Sequence, residues 1–217
     1  MAVCPACGFE YEGSFKFCPD CAAPLAAAAA PRESRKVVTA LFCDLVGSTA
    51  LGEQHDPEVL RPMFERYFTE MRSAVERHGG RVEKFIGDAV AAVFGLPSAH
   101  EDDALRAIRA GFEMQASLEE LNAVSPFALA ARVGISTGEV LVSGDGSSIM
   151  GDTMNTAARL QTAASPGSVL VGDPTWRLVR DSIIAEAVAP LDAKGKAEPV
   201  PAWRVVQIGR ASCRERV

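Results

Sequence analysis

Along this chain the spacing of apolar residues switches between two periods, and the switches mark the elements. A period of two over Val37 to Phe42, Val82 to Ile86 and Ala89 to Phe94 predicts strands. The last two flank Gly87-Asp88, and a two-residue Gly-X connection predicts a tight hairpin, because Gly supplies the positive φ such turns need. A helical period joins Val59, Leu60, Met63, Phe64, Tyr67, Phe68, Met71 and Val75, from an Asp56-Pro57 start to a Gly79-Gly80 stop. This stripe reads as core. Pro62 either begins the regular part of that helix or kinks its first turn. A second helix is expected from about His100 to Asn122, carrying Ala104, Leu105, Ile108, Phe112, Met114, Leu118 and Leu121. Phe127 to Ser136 and Glu139 to Ser143 read as two strands turned at Thr137-Gly138. A Gly-rich loop over 144–151, a helix from Asp152 to Ala164, a strand from Ser168 to Val171 and a helix from Asp173-Pro174 follow. A strand pair within Leu191 to Val206 closes the pattern.

The periodicity fails at both ends. Residues 22–35, AAPLAAAAAPRESR, have no amphipathic spacing and read as a linker. The expected organisation is a small unit at 1–22, a linker at 23–35 and the main domain at 36–207. The last ten residues, IGRASCRERV, continue no pattern and read as a cloning or sequencing-adapter artefact at 208–217. On that reading a C-terminal effector or regulatory domain is missing from the chain.

Residues 4–21 hold Cys4/Cys7 and Cys18/Cys21, two Cys-x-x-Cys knuckles ten residues apart. Each knuckle can give two thiolates to one tetrahedral Zn²⁺, and four thiolates leave no open position, so one structural zinc in a ribbon is expected. A redox dithiol would need only one pair. Composition narrows the picture further. The 217 residues carry a net charge of −6, which argues against general nucleic-acid binding and against an anionic membrane surface. No apolar run is long enough to span a membrane, and MAVCPACG is not a secretion signal. Paired cysteines in metal spacing suit a reducing, cytoplasmic compartment. The histidines at 55, 78 and 100 have no ligand spacing and read as surface residues.

Two acids stand out. Asp44 ends the first strand just before Gly47-Ser48-Thr49, where a helix begins, and Asp88 sits in the hairpin turn. Asp88 by itself reads as a solvated turn residue. Paired with Asp44 beside a small-residue helix start, it makes a site for metal ions and phosphate.

With Asp44, Lys84-Phe85-Ile86-Gly87-Asp88 and Gly151-Asp152-Thr153-Met154-Asn155-Thr156-Ala157-Ala158-Arg159-Leu160 placed in order, the chain resembles the class III nucleotidyl cyclases over about residues 36–206. The resemblance implies an α+β, ferredoxin-like domain with a mostly antiparallel sheet, working as a head-to-tail homodimer. It implies an adenylate cyclase that converts ATP to 3′,5′-cyclic AMP and pyrophosphate with two Mg²⁺ or Mn²⁺ ions per site. Asp44 and Asp88 would hold those ions, with the Leu45 carbonyl as a further ligand. The N–H groups of Gly47, Ser48 and Thr49 would hold phosphates, Asn155 would orient the ribose, and Arg159 would stabilise the transition state. Lys194 or Lys196 would grip the terminal phosphates, with Lys194 preferred. Lys84 and Ser148 would read the base. Lys only donates hydrogen bonds, which suits N1 of adenine better than the protonated N1 of guanine. Ser148 stands where adenylyl cyclases often carry Asp, which resembles the Thr/Ser subgroup, several of whose members respond to bicarbonate. The alternatives are a guanylate cyclase and a cyclase-like module without catalysis. A diguanylate cyclase would carry a Gly-Gly-Asp/Glu-Glu-Phe signature, which is absent.

Overall fold

The computed structural model describes residues 2–4, 6–13, 15–25, 33–144, 146, 148–191 and 199–209. The chain divides into two compact units, residues 1–34 with 141–149, and residues 35–140 with 150–217.

In the smaller unit, β1 (Ala2–Val3) pairs antiparallel with β2 (Glu10–Tyr11). The two Cys-x-x-Cys knuckles are built alike. Gly8 N–H returns to the Cys4 carbonyl at 2.9 Å, and Ala22 N–H to the Cys18 carbonyl at 3.0 Å. The residue after each second cysteine adopts a positive φ, 76° at Gly8 and 57° at Ala22. Gly takes that conformation without cost, whereas Ala22 carries a Cβ into it. Cys4, Cys18 and Leu25 form a miniature core with Tyr11 packed against it.

The larger unit is built on β3 (Ser34–Leu45), β4 (Arg81–Ile86), β5 (Ala89–Phe94), β6 (Ala131–Val142), β8 (Val169–Gly172), β9 (Ile183–Leu191) and β10 (Val200–Ile208). The strand order is β4-β5-β3-β6-β8-β10-β9, with the short β7 (Ile149–Met150) also paired to β6. β6 and β8 run parallel, while β3–β5, β4–β5, β8–β10 and β9–β10 are antiparallel. The helices are α1 (Ser48–Gln54), α2 (Pro57–Arg77), α3 (Asp103–Val124), α4 (Asp152–Ala163) and α5 (Asp173–Val179).

Side-chain alternation assigns the two faces of the sheet. Val169 and Val171 of β8 join the main core with Met71, Ile108 and Met114, whereas Leu170 packs with Leu160 of α4. Helices α2 and α3 therefore cover one face and α4 covers the other. The α2 stripe is core at Leu60, Tyr67, Met71 and Val75, but Val59 is 56% exposed. Helix α2 runs unbroken from Pro57 with Pro62 inside it.

Three sequence expectations are corrected. There is no turn at Thr137-Gly138; residues 131–142 form one strand. Glycine is there for close approach instead. A Cβ on Gly138 would lie 2.7 Å from Thr153 Oγ1, and one on Gly134 would overlap the Gln161 nitrogen and the Ala157 carbonyl oxygen. These bare positions let α4 lie directly on β6. His78 is half-buried rather than a free surface residue: its side chain is 24% exposed, and Nε2 lies 2.6 Å from Glu113 Oε2 on α3. The closing strand pair begins earlier than expected, at Ile183, because β9 pairs with β10 from Ile183↔Ile208.

Candidate active site

Asp44 and Asp88 come together by strand pairing. β3 and β5 pair antiparallel up to Cys43↔Val90, and the β4–β5 turn places Asp88 one residue before β5. Gly87 takes φ 62°, the value the tight turn requires. Burial, then the charge of Asp88, push the Asp44 carboxyl upward from its ordinary value; Arg132 and Gln161 act against that rise. Gln161 donates from Nε2 to Asp44 Oδ2 at 3.2 Å, and Arg132 Nη2 lies 3.8 Å from the same oxygen.

Asp88 Oδ2 is buried, and among the described residues no donor reaches it. A buried carboxylate oxygen without a partner costs roughly 1–3 kcal/mol or more, and such atoms concentrate at functional sites. Two mutually repelling carboxylates with a bare inward oxygen are a donor set that fits a hard divalent cation. The Leu45 side chain is buried, so only its main chain could add a ligand.

Beside the pair, Gly47 adopts φ 77° and precedes α1 with no side-chain cap on its first turn. Ser48, Thr49, Gly52, Gly87 and Asp88 line a groove of about 370 Å³, walled on its apolar side by Phe64 and Phe68 of the α2 stripe. Main-chain N–H groups at an uncapped helix start suit an anion, so the Asp88 carboxylate and donors suited to phosphate share one groove.

Asn155 and Arg159 lie one turn apart on α4, with Asn155 exposed and Arg159 half-buried. Gln161, which reaches Asp44, is only two residues beyond Arg159. At 3.6 residues per turn the two side chains leave the helix about 200° apart. The α4 face that carries Arg159 is thus turned away from the carboxylates of its own chain. Lys84 is exposed on β4, an edge strand of the sheet. Ser148 lies in the smaller unit, where it closes a tight loop: its N–H donates to Ser143 Oγ, and its carbonyl accepts from Ser143 N–H, both at 2.9 Å. Lys194 and Lys196 lie outside the described residues.

The model of the adenylate and guanylate cyclase catalytic domain family matches residues 30–204. This chain belongs to that family. The cyclase domain is similar to the crystal structure of the adenylyl cyclase CyaB from P. aeruginosa, with TM-score 0.77, 31% identity and coverage of 82% of this chain and 98% of that one. It is equally similar to the guanylyl cyclase Cya2, with TM-score 0.77, 30% identity and coverage of 83% and 96%. Among curated sequences, adenylate cyclase 1 of Rhizobium meliloti (strain 1021) is 29% identical over 189 residues, 82% of this chain and 28% of that protein. The chain spans less than a third of the curated relatives it matches.

Sequence reasoning misses Arg132, Gln161 and Tyr67. Tyr67 O–H donates to the Asp88 carbonyl oxygen at 3.0 Å. Tyr67 carries a signal only as one apolar residue of a helical stripe, and the other two carry none.

The four cysteine Sγ atoms lie within 4.8 Å of one another, with Cys4–Cys21 at 3.7 Å and Cys7–Cys18 at 3.6 Å. A tetrahedron with Zn–S bonds of about 2.3 Å has edges of about 3.8 Å, so the thiol set fits zinc. The main-chain N–H of Cys7 is the largest influence on Cys4, whose thiol is pulled down to about 7.

Proposed function

We propose that this cyclase domain is an adenylate cyclase, making 3′,5′-cyclic AMP and pyrophosphate from ATP at two sites shared across a homodimer. The observation that carries the reading is the Asp44–Asp88 pair, with its bare buried oxygen, beside a groove that Asp88 lines together with the first residues of α1. Divalent ions bound there would neutralise the triphosphate and acidify the ribose 3′-hydroxyl. The residues do the rest. Asp44 and Asp88 hold the ions, with the Leu45 carbonyl beside them. The N–H groups of Gly47, Ser48 and Thr49 fix the phosphates that will leave. Arg159 of the second chain meets the charge that builds on the α-phosphoryl oxygens, and Asn155 orients the ribose. Lys194 is the proposed grip on the terminal phosphates. The direction of α4 supports the shared arrangement, because one chain aims Gln161, not Arg159, at its own carboxylates.

The choice of ATP rests on Lys84 as a donor-only base reader, with Ser148. A guanylate cyclase is the second reading, favoured by the equal similarity to Cya2. Purified protein assayed with Mn²⁺ and each nucleotide decides between them: cyclic AMP from ATP is expected, and predominant cyclic GMP formation would overturn the adenylate reading. No product from either nucleotide in a folded dimer would overturn catalysis itself. Replacing the donor pattern, with Lys84→Glu and Ser148→Cys together, is expected to weaken ATP use and raise GTP use by about tenfold or more in the ratio of kcat/KM. An unchanged ratio would show that these residues do not read the base.

The smaller unit is proposed to be a zinc ribbon. One Zn²⁺ per chain is expected by metal analysis, absent in Cys4→Ser and Cys21→Ser, while the cyclase domain keeps its own thermal transition. The reduced wild-type protein emerging without zinc would refute the ribbon assignment.

A further inference from the structure

Two residues besides Arg132 hold Asp44 or Asp88 without a part in the chemistry above. The first is Tyr67, whose side chain is fully buried on α2. Its hydroxyl donates to the main-chain oxygen of Asp88 at 3.0 Å. One phenol therefore ties the β4–β5 turn to α2. The second is Gln161 of α4, 7% exposed, whose Nε2 donates to Asp44 Oδ2 at 3.2 Å. The two contacts approach from opposite faces of the sheet, Tyr67 from the α2 side and Gln161 from the α4 side.

Two neighbouring carboxylates repel, and nothing in the strands alone stops their side chains from swinging apart. Tyr67 anchors Asp88 through the backbone and leaves Oδ2 bare. Gln161 takes Asp44 through Oδ2, from a neutral amide that does not cancel the charge a cation needs. Groups behind metal ligands commonly set ligand orientation in this way. A purely structural role is the competing account, since a buried phenol needs an acceptor wherever it sits. We infer that Tyr67 and Gln161 are positioning residues that hold Asp44 and Asp88 together, ready for a divalent cation.

The inference rests on the metal reading of the pair, and the test separates the two. Mn²⁺ alone is titrated into the full chain, without nucleotide, and free Mn²⁺ is followed by electron paramagnetic resonance. Wild type is expected to show a site that Asp88→Asn removes. Tyr67→Phe keeps the ring and its volume, and Gln161→Met keeps the length of the side chain; neither keeps its hydrogen bond. Each is expected to weaken Mn²⁺ binding by about tenfold or more, the scale for losing a group behind a metal ligand. The Mn²⁺ concentration for half-maximal activity should rise in step, with the nucleotide KM at saturating Mn²⁺ little changed. Both variants binding Mn²⁺ within twofold of wild type would overturn the inference, even if their thermal stability falls. Should Tyr67→Phe fail to fold, Gln161→Met decides alone. A wild type with no Mn²⁺ site sensitive to Asp88→Asn would overturn the metal reading, and the inference with it.

Discussion

A mixture of Asp44→Ala and Arg159→Ala chains is expected to regain activity that neither chain has alone. Asp44 stands on the α4 face of the sheet, and α4 meets it through Gln161. Arg159 leaves the same helix about 200° away, and the proposed site therefore draws the two residues from two chains. A two-fold dimer then holds two equivalent sites, each with one chain's carboxylates and the other chain's arginine. Each single variant damages both sites of its own homodimer. On the proposed roles, losing Arg159 removes a preorganised charge stabiliser, which typically costs about 10²–10³-fold in turnover, and losing Asp44 should be at least as severe. In the heterodimer the two lesions fall in one site and the other is intact. Heterodimer isolated through two different affinity tags should show about half of wild-type activity, and a randomly assorted mixture about a quarter. If isolated heterodimer is inactive, the shared site is wrong and the reacting groups lie within one chain.

Gly134→Ala is expected to be among the most damaging single-methyl changes in the cyclase domain. The added Cβ would overlap the main-chain nitrogen of Gln161 and the carbonyl oxygen of Ala157. Both obstacles are backbone, so no rotamer change relieves the clash, and α4 as a whole must move off β6. Overpacking of this kind costs roughly 1–3 kcal/mol, more when backbone must shift. In a domain of this size each kcal/mol lowers Tm by about 2–4 °C, so a cost at the top of that range, about 3 kcal/mol, gives an expected fall of about 6–12 °C by calorimetry. Activity should fall further than stability, because α4 carries Asn155, Arg159 and Gln161. Gly138→Ala is the internal comparison: its obstacle is Thr153 Oγ1 at 2.7 Å, a side-chain atom that can rotate away from its bond to the Glu139 carbonyl. Its Tm should fall much less. Equal and small shifts in the two variants would mean that α4 does not sit on bare backbone at Gly134.

The hairpin around Gly87-Asp88 is legible in the amino-acid sequence, because a two-residue turn is set by local φ preferences and by alternation on both sides. The α2 and α3 stripes are legible for the same reason: helical periodicity is a property of neighbouring residues. The paired cysteines too are readable, since a knuckle is a local object, and their four sulfurs do converge. Thr137-Gly138 misleads because glycine means a turn or a close approach depending on what lies above it. Only the packing of α4 on β6 distinguishes those meanings. His78 misleads for a similar reason, as its partner Glu113 is 35 residues away on another helix. Spacing establishes that Asn155 and Arg159 share a face of α4, but not where that face points. Packing turns it away from Asp44 and gives Asp44 to Gln161 instead. The order of residues along the chain determines which side chains have the chemistry of a cyclase. The fold decides which of them can meet within one chain, because the direction of a helix face depends on the sheet beneath it rather than on the residues that form it.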